Sequence, residues 1–355
     1  VSKYPESSIA RKGAGEIGLL YYQDDKYPEA IAAYKKVIAD YPGSEEARQA
    51  QRDLRSIYTD LNQVDAYTQY ASTIRGGIPV AAGERDSLTY VAAEKVYVRG
   101  DQAQAKTSFT RYLQQFPQGA FALNAHYYLG LMAYNAKDYT TARTHLDRVI
   151  EYPNNEYSEE AMIMNAEMAF NAKDYARALT LYKLLKDKTA AAERRRLAQT
   201  GILRCAYLTG DREEVTLAAA DLLADSKLSP ELANEARYYR AKTLLATEPA
   251  KAADDLRILS RDTRNAYGAE AKYRLAQLYF DAGQTDAAEK ELLEYIDAST
   301  PHAYWLARSF VLLSDVYAKL GRTLEARQYL LSLRQNYQAD DDIAPMIESR
   351  LEKLN

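Results

Sequence analysis

The residues that could do chemistry are few, and their spacing argues against it. His126, His145 and His302 show no metal-ligand spacing. His126 and His145 fall on different helices of one hairpin, which suits seam or surface histidines. No His-Glu-x-x-His run, paired cysteines or nucleophile elbow occurs. Glu45-Glu46 and Glu159-Glu160 stand at helix starts, where the macrodipole favours acids. A working acid/base pair would also need a dry pocket to separate its two pKa values. Cys205 lies inside a helical pattern and reads as a small buried apolar residue. Gly13-x-Gly15-x-x-Gly18 has dinucleotide-motif spacing, but that motif needs a preceding strand, and these glycines sit within a helix. Arg194-Arg195-Arg196 reads as a solvated edge and a rim for an acidic partner. The expectation is a protein with no catalytic residues, no metal and no cofactor, and hence not an enzyme.

Bulk properties narrow the partners. Forty-six basic against fifty acidic residues give a formal charge of -4, with no basic excess to neutralise phosphates. Nucleic acid is therefore not an expected partner. One cysteine excludes an internal disulfide framework. No uninterrupted apolar run of about 18 residues exists, so no transmembrane segment is expected. Tyrosine is the oddity: 31 residues against 6 Phe and 1 Trp, a side chain suited to half-wet helix seams and grooves.

The elements that would position these rings follow from a repeat. From Gly18 to Pro42 the chain reads as an amphipathic helix, a tight polar turn at Gln23 to Lys26, a second amphipathic helix and a stop. The start of each second helix can be aligned on that turn, at Ala30, Tyr67, Ala105, Ala142, Ala178, Val215, Ala253, Ala288 and Ala326. The separations are 37, 38, 37, 36, 37, 38, 35 and 38. Pro42, Pro79, Pro117 and Pro153 keep the same period and are expected to stop helices. Asp101, Asp138, Asp174 and Asp211 keep it too, each placed to cap a second helix. Apolar spacing within a unit is helical (Ile31, Tyr34, Val37, Ile38), and no stretch alternates long enough for a strand.

The units resemble the tetratricopeptide repeat family. Ile17-Gly18, Tyr21, Ala30, Tyr34, Val37 and Pro42 carry the likeness in the first unit, and Leu129-Gly130, Ala142, Leu146 and Val149 in the fourth. The small first-helix residue becomes Ala93, Ala166, Ala241, Ala276 or Ser314 elsewhere, while Arg55 and Leu203 depart from the pattern. The resemblance implies an all-α, right-handed α-solenoid of nine hairpins over 1–355. The units are 6–42, 44–79, 83–117, 120–153, 156–189, 191–227, 230–264, 267–301 and 303–338, followed by a capping helix at 343–355. Residues 76–86 read as a hinge. Pro5, one period before Pro42, suggests the stop of an upstream helix and hence a longer array.

In this family one face of the first helices lines the concave surface. Mapped onto that face, the tyrosines form two rows. Tyr90, Tyr127, Tyr238 and Tyr273 make the first; Tyr22, Tyr97, Tyr134, Phe170, Tyr207 and Phe280 make the second. They are expected to hold a protein or peptide partner, since rigid aromatics give contact area at low entropy cost. The competing expectation is that the rings only pack between adjacent first helices. Charged residues on the face (Arg52, Glu94, Glu160, Glu167, Arg204, Lys242, Asp315) have mixed sign, and the Lys/Asn clamp of carboxyl-terminus receptors is absent. A glycan-binding scaffold and an accessory helical domain of an enzyme are the alternatives. The Tyr-Pro stops resemble those of bacterial envelope repeat proteins, which implies a periplasmic or outer-membrane-associated location.

Overall fold

The computed structural model describes residues 7–152 and 154–354; Pro5 and Pro153, two of the expected helix stops, lie outside them. The described residues form nineteen α-helices and no strand. The chain, expected as one run, divides between Asn165 and Ala166 into two compact units. In the first, α1 (Ser8–Gln23) pairs with α2 (Tyr27–Asp40), and α3 (Glu45–Asp60) with α4 (Val64–Ala71). There α5 (Ala82–Val98) pairs with α6 (Gln102–Gln115), and α7 (Ala122–Asn135) with α8 (Tyr139–Ile150). The division falls inside α9 (Ser158–Asn171). The second unit continues with α10 (Tyr175–Lys188), then α11 (Ala192–Thr209) with α12 (Arg212–Leu223) and α13 (Pro230–Leu244) with α14 (Pro249–Leu259). It ends with α15 (Ala266–Asp281) and α16 (Thr285–Asp297), α17 (Ala303–Lys319) and α18 (Thr323–Asn336), and α19 (Ile343–Lys353).

The hairpin turns explain the tight connections. Asp25, Asn62, Gly100, Lys137, Lys173, Gly210, Gly283 and Gly321 all have positive φ, and each stands five residues before its alignment anchor. A left-handed residue there lets the next N–H reach back to the last turn of the first helix, as Asp138 does to the Ala133 carbonyl at 2.9 Å and Asp211 to Ala206 at 2.9 Å. Four of these positions hold Asp, Asn or Lys, so the closed turn stabilises a conformation that only glycine adopts freely. The periodic aspartates then start the second helices. Asp101, Asp138, Asp174 and Asp211 accept from the backbone N–H three residues on.

Close helix approach follows from the small residues. All nine anchor residues are buried, as are their first-helix partners Gly18, Ala93, Gly130, Ala166, Leu203, Ala241, Ala276 and Ser314. A Cβ on Gly130 would stand 2.7 Å from the Leu146 side chain, so helix α7 can lie this near α8 only without one. Arg55 and Leu203 are not small, and of the two only Arg55 stays partly exposed. Its guanidinium reaches Glu84 at 2.5 Å, the place of the small residue is lost, and the hairpin it belongs to has a second helix of only eight residues.

One expected helix stop is corrected here. Pro79 does not stop α4, which ends at Ala71; the chain leaves the helix through Gly76-Gly77 before reaching the proline. The 76–86 join, expected as a hinge, is fastened to α3. The Gln51 side chain donates to the Ile78 carbonyl at 2.6 Å and accepts from the Ile78 N–H at 3.0 Å, and from Ala82 on the segment is helical. At the other end α19 covers the last hairpin: Ile343, Ile347 and Leu351 pack on Ala307, Leu330 and Leu333, and Arg350 pairs with Asp315 at 2.8 Å.

Candidate functional site

The first tyrosine row is packing. Tyr90, Tyr127 and Tyr273 are buried and Tyr238 is half-buried. Each ring lies on an aromatic residue at the start of the next hairpin. In the first unit Tyr90 stacks on Phe121 at 4.5 Å and Tyr127 on Tyr157 at 4.2 Å. In the second, Tyr238 lies on Tyr267 at 4.5 Å and Tyr273 on Trp305 at 5.5 Å. Their hydroxyls are taken up as well: Tyr238 donates to Glu270 at 2.6 Å, Tyr90 to Glu94 at 2.8 Å, and Tyr273 accepts from Arg308 at 3.2 Å. Burial, then the neighbouring carboxylate, pushes the phenols of Tyr90, Tyr127 and Tyr238 above the ordinary value. The platform rings are legible in the sequence, each about 30 residues after its tyrosine, but only when both rows of aromatics are compared across neighbouring hairpins.

The second row is half-buried, and each of its rings packs on a neighbouring side chain. Tyr22, Tyr134 and Phe170 lean on Tyr27, Tyr139 and Tyr175 across their own hairpin turns, at 5.9, 6.0 and 5.4 Å. Tyr97 packs on Tyr128 at 4.8 Å, Tyr207 stacks on Tyr239 at 4.2 Å, and Lys319 sits over Phe280 at 4.9 Å. Tyr22 also donates to Asp60 at 2.8 Å, and that bond raises its pKa to about 12.

One cleft in the second unit brings a ring of this row together with the first helices. A cavity of about 580 Å³ opens between the end of α9 and the faces of α11 and α13. Phe170, Leu197 and Leu232 are its apolar lining; Glu167, Arg196 and Arg204 are among its charged residues. Gly201 forms part of the wall, where a Cβ would stand 2.4 Å from the Tyr182 ring. Both arginines are neutralised. Arg204 makes a two-bond fork to Glu235 at 2.6 and 2.8 Å, and Arg196 reaches Asp225 at 2.9 Å. The cleft is thus an apolar slot bordered by closed ion pairs, within the size range of ligand pockets. Of the basic run beside it, Arg195 is exposed and bonds the Thr189 carbonyl at 2.8 Å.

The other candidates for chemistry are placed as follows. His126 and His145 face each other across α7 and α8 with their Nδ1 atoms 2.9 Å apart. Cys205 is buried, and burial pushes its thiol up to about 11, away from reactivity. Gly13, Gly15 and Gly18 lie within α1. Among the described residues no group of three or more His, Cys, Asp or Glu side chains is arranged to hold a metal, and no helix is long and apolar enough to cross a membrane.

Hairpins of two helices in a repeating stack define the class, a helical-repeat protein. The repeat is the tetratricopeptide repeat: models described by that name match residues 16–44, 90–156 and 269–301, and the chain is a tetratricopeptide-repeat protein. No curated protein sequence matches it. Among solved structures it is similar to a tetratricopeptide repeat protein from Parabacteroides merdae ATCC 43184, at 12% identity over 74% of this chain and 97% of that one, TM-score 0.39. It is also similar to the P58(IPK) TPR domain, at 14% identity over 97% and 98% of the two chains, TM-score 0.31. A third is the Cut9-Hcn1 hetero-tetramer of the APC/C, at 13% identity over 99% and 71%, TM-score 0.32.

Proposed function

We propose that this chain is a non-catalytic interaction scaffold that holds a peptide or protein partner against its first helices. The observation that carries the reading is the 580 Å³ cleft, where Phe170, Leu197 and Leu232 offer apolar surface between ion pairs already satisfied within the chain. Such a slot is preformed by rigid helices, so a partner's side chain can enter with little ordering cost to the protein. Satisfied ion pairs at its rim favour an apolar or aromatic insert over a free charge. In this reading Tyr22, Tyr97, Tyr134, Phe170, Tyr207 and Phe280, all half-buried, offer partners the surface that their packing leaves accessible. Tyr90, Tyr127, Tyr238 and Tyr273 hold the helices that carry them.

Peptides selected by display on the immobilised protein test the proposal. Binding should fall at least tenfold in Phe170→Ala and in Leu197→Lys, the latter a residue 36% exposed and so tolerant of a long polar side chain. Selected peptides that bind both variants as well as the wild type would remove the cleft from the function. The likeness of the Tyr-Pro stops to envelope repeat proteins supports a periplasmic or outer-membrane-associated setting. Fractionation that finds the protein in the cytosol alone would exclude that setting.

A further inference from the structure

Four junctions between successive first helices are closed by one arrangement of three residues. A tyrosine from one first helix enters between the helices. The next hairpin supplies a ring beneath it and, three residues further on, a polar residue near its hydroxyl, which bonds that hydroxyl directly at Tyr238 and Tyr273. The ring and polar group are Phe121 and Asn124, Tyr157 and Glu160, Tyr267 and Glu270, and Trp305 and Arg308; the entering rings are Tyr90, Tyr127, Tyr238 and Tyr273. Three-residue spacing puts platform and polar group on one helical face.

The junction of α11 with α13 keeps the polar group of this arrangement and carries neither of its rings. Its platform position is Leu232 and its polar group is Glu235, a carboxylate only 7% exposed. At the neighbouring junction Lys242 reaches Glu270 at 3.2 Å; here Arg204, at the corresponding repeat position, holds Glu235. Where Tyr238 stands there, Thr200 stands here, its hydroxyl turned back to the Arg196 carbonyl at 2.8 Å. Thr200, Leu232 and the Arg204 that holds Glu235 all line the 580 Å³ cleft. Glu270 shows that a carboxylate in this setting takes a phenol and a cation together, since it accepts from Tyr238 at 2.6 Å while paired with Lys242 and with Arg274 at 3.1 Å.

Building on the scaffold reading above, we infer that the partner supplies the absent residue: a tyrosine side chain enters beside Thr200, packs on Leu232 and donates its hydroxyl to Glu235. A phenylalanine would fill the same space and leave Glu235 with Arg204 alone. One hydrogen bond to a charged acceptor corresponds to roughly a tenfold preference for the phenol.

The experiment uses the whole protein, isotope-labelled for NMR, titrated with N-acetyl-tyrosinamide, N-acetyl-phenylalaninamide and N-acetyl-leucinamide. The expected result is saturable shifts at residues 196–204 and 232–238, tightest with the tyrosine probe and about tenfold weaker with phenylalanine. Thr200→Tyr should supply the ring from within, raise the melting temperature and abolish the shifts. Glu235→Gln, which does not depend on fitting a new ring, should erase the tyrosine-over-phenylalanine preference. Leucinamide binding as tightly as tyrosinamide, no saturable shift with any probe, or unaltered binding by folded Thr200→Tyr would overturn the inference. Failure here is separable from failure of the scaffold reading. Display-selected peptides that require Phe170 and Leu197 but ignore Thr200→Tyr would sink the tyrosine and keep the groove, whereas peptides indifferent to Phe170 and Leu197 would sink the groove itself.

Discussion

Replacing Tyr127 by alanine separates a packing row from a binding row. Tyr127 is 6% exposed, stacked on Tyr157 with the ring planes 19° apart, and edge-on to Tyr128 at 5.5 Å. An aromatic truncated to alanine in a close-packed site costs about 3–5 kcal/mol, and the lost ring pair about 0.5–1.5 kcal/mol of that. We expect about 4 kcal/mol for Tyr127→Ala. Tyr127→Phe keeps the ring and loses only the hydroxyl bond to Glu160, so about 1.5 kcal/mol is expected. Tyr152→Ala, at a ring 58% exposed, is the control and should stay within about 0.5 kcal/mol. Stacked hairpins can open one at a time, so a single melting temperature would blur the effect. The assay is amide hydrogen exchange read at α7 and at residues 157–171, where protection should fall in the order Phe, then Ala. Equal protection in Tyr127→Ala and Tyr152→Ala would refute the stacking argument and return this row to the surface available to partners.

Two further outcomes follow from the same geometry. Gly130→Ala places a methyl 2.7 Å from the Leu146 side chain, and thermal unfolding should show a loss of about 1–3 kcal/mol; an unchanged protein would mean α8 can retreat freely. The His126–His145 contact should make the α7–α8 hairpin acid-sensitive, because facing Nδ1 atoms need one ring neutral to accept. Burial first, then His145 and Arg148 against an opposing Glu151, lowers His126 to about 4; burial, then Lys106, lowers His145. The unfolded chain therefore binds more protons than the folded one at mildly acid pH. The pair's contribution is whole above about pH 6.5 and is lost as pH falls toward about 4, and exchange at α7 and α8 should quicken over that window. Phenylalanine at His145 should flatten the dependence, and a wild-type profile already flat would remove the pair from the account.

The repeat was legible because hairpin geometry leaves a mark on sequence at fixed intervals. Asp174 must be a short acceptor to cap α10, Ala142 must be small to admit α7, and the residue after the first helix must tolerate positive φ. Pro79 keeps the repeat period without stopping a helix, because α4 already ends at Ala71, well before the proline. The site was less legible for a related reason. Period arithmetic places Tyr90 and Tyr134 on first helices but says nothing about which neighbour shares the ring. That is decided by Phe121 and Tyr139, residues outside either row, one of which covers a buried Tyr90 while the other packs on a Tyr134 that stays half-buried. Ion pairs were illegible altogether. Arg204 and Glu235 are 31 residues apart, and only the stacked helices join them.

A periodic structure makes its exceptions informative. Where four junctions are built to one plan, a fifth that keeps the buried carboxylate and its cation, yet opens a cavity, is hard to explain as packing. The α11–α13 junction keeps Arg204 and a buried Glu235, whose desolvation is costly unless the carboxylate is used, and gives up the ring that would have covered them. Leu197 completes the same slot from the α11 side while remaining partly exposed, an arrangement that leaves apolar surface wet when nothing occupies it. Local rules are expected to fail where a surface serves something other than folding. By that reasoning the absent tyrosine at Thr200 marks the partner's place more sharply than any of the ten aromatic residues present in the rows.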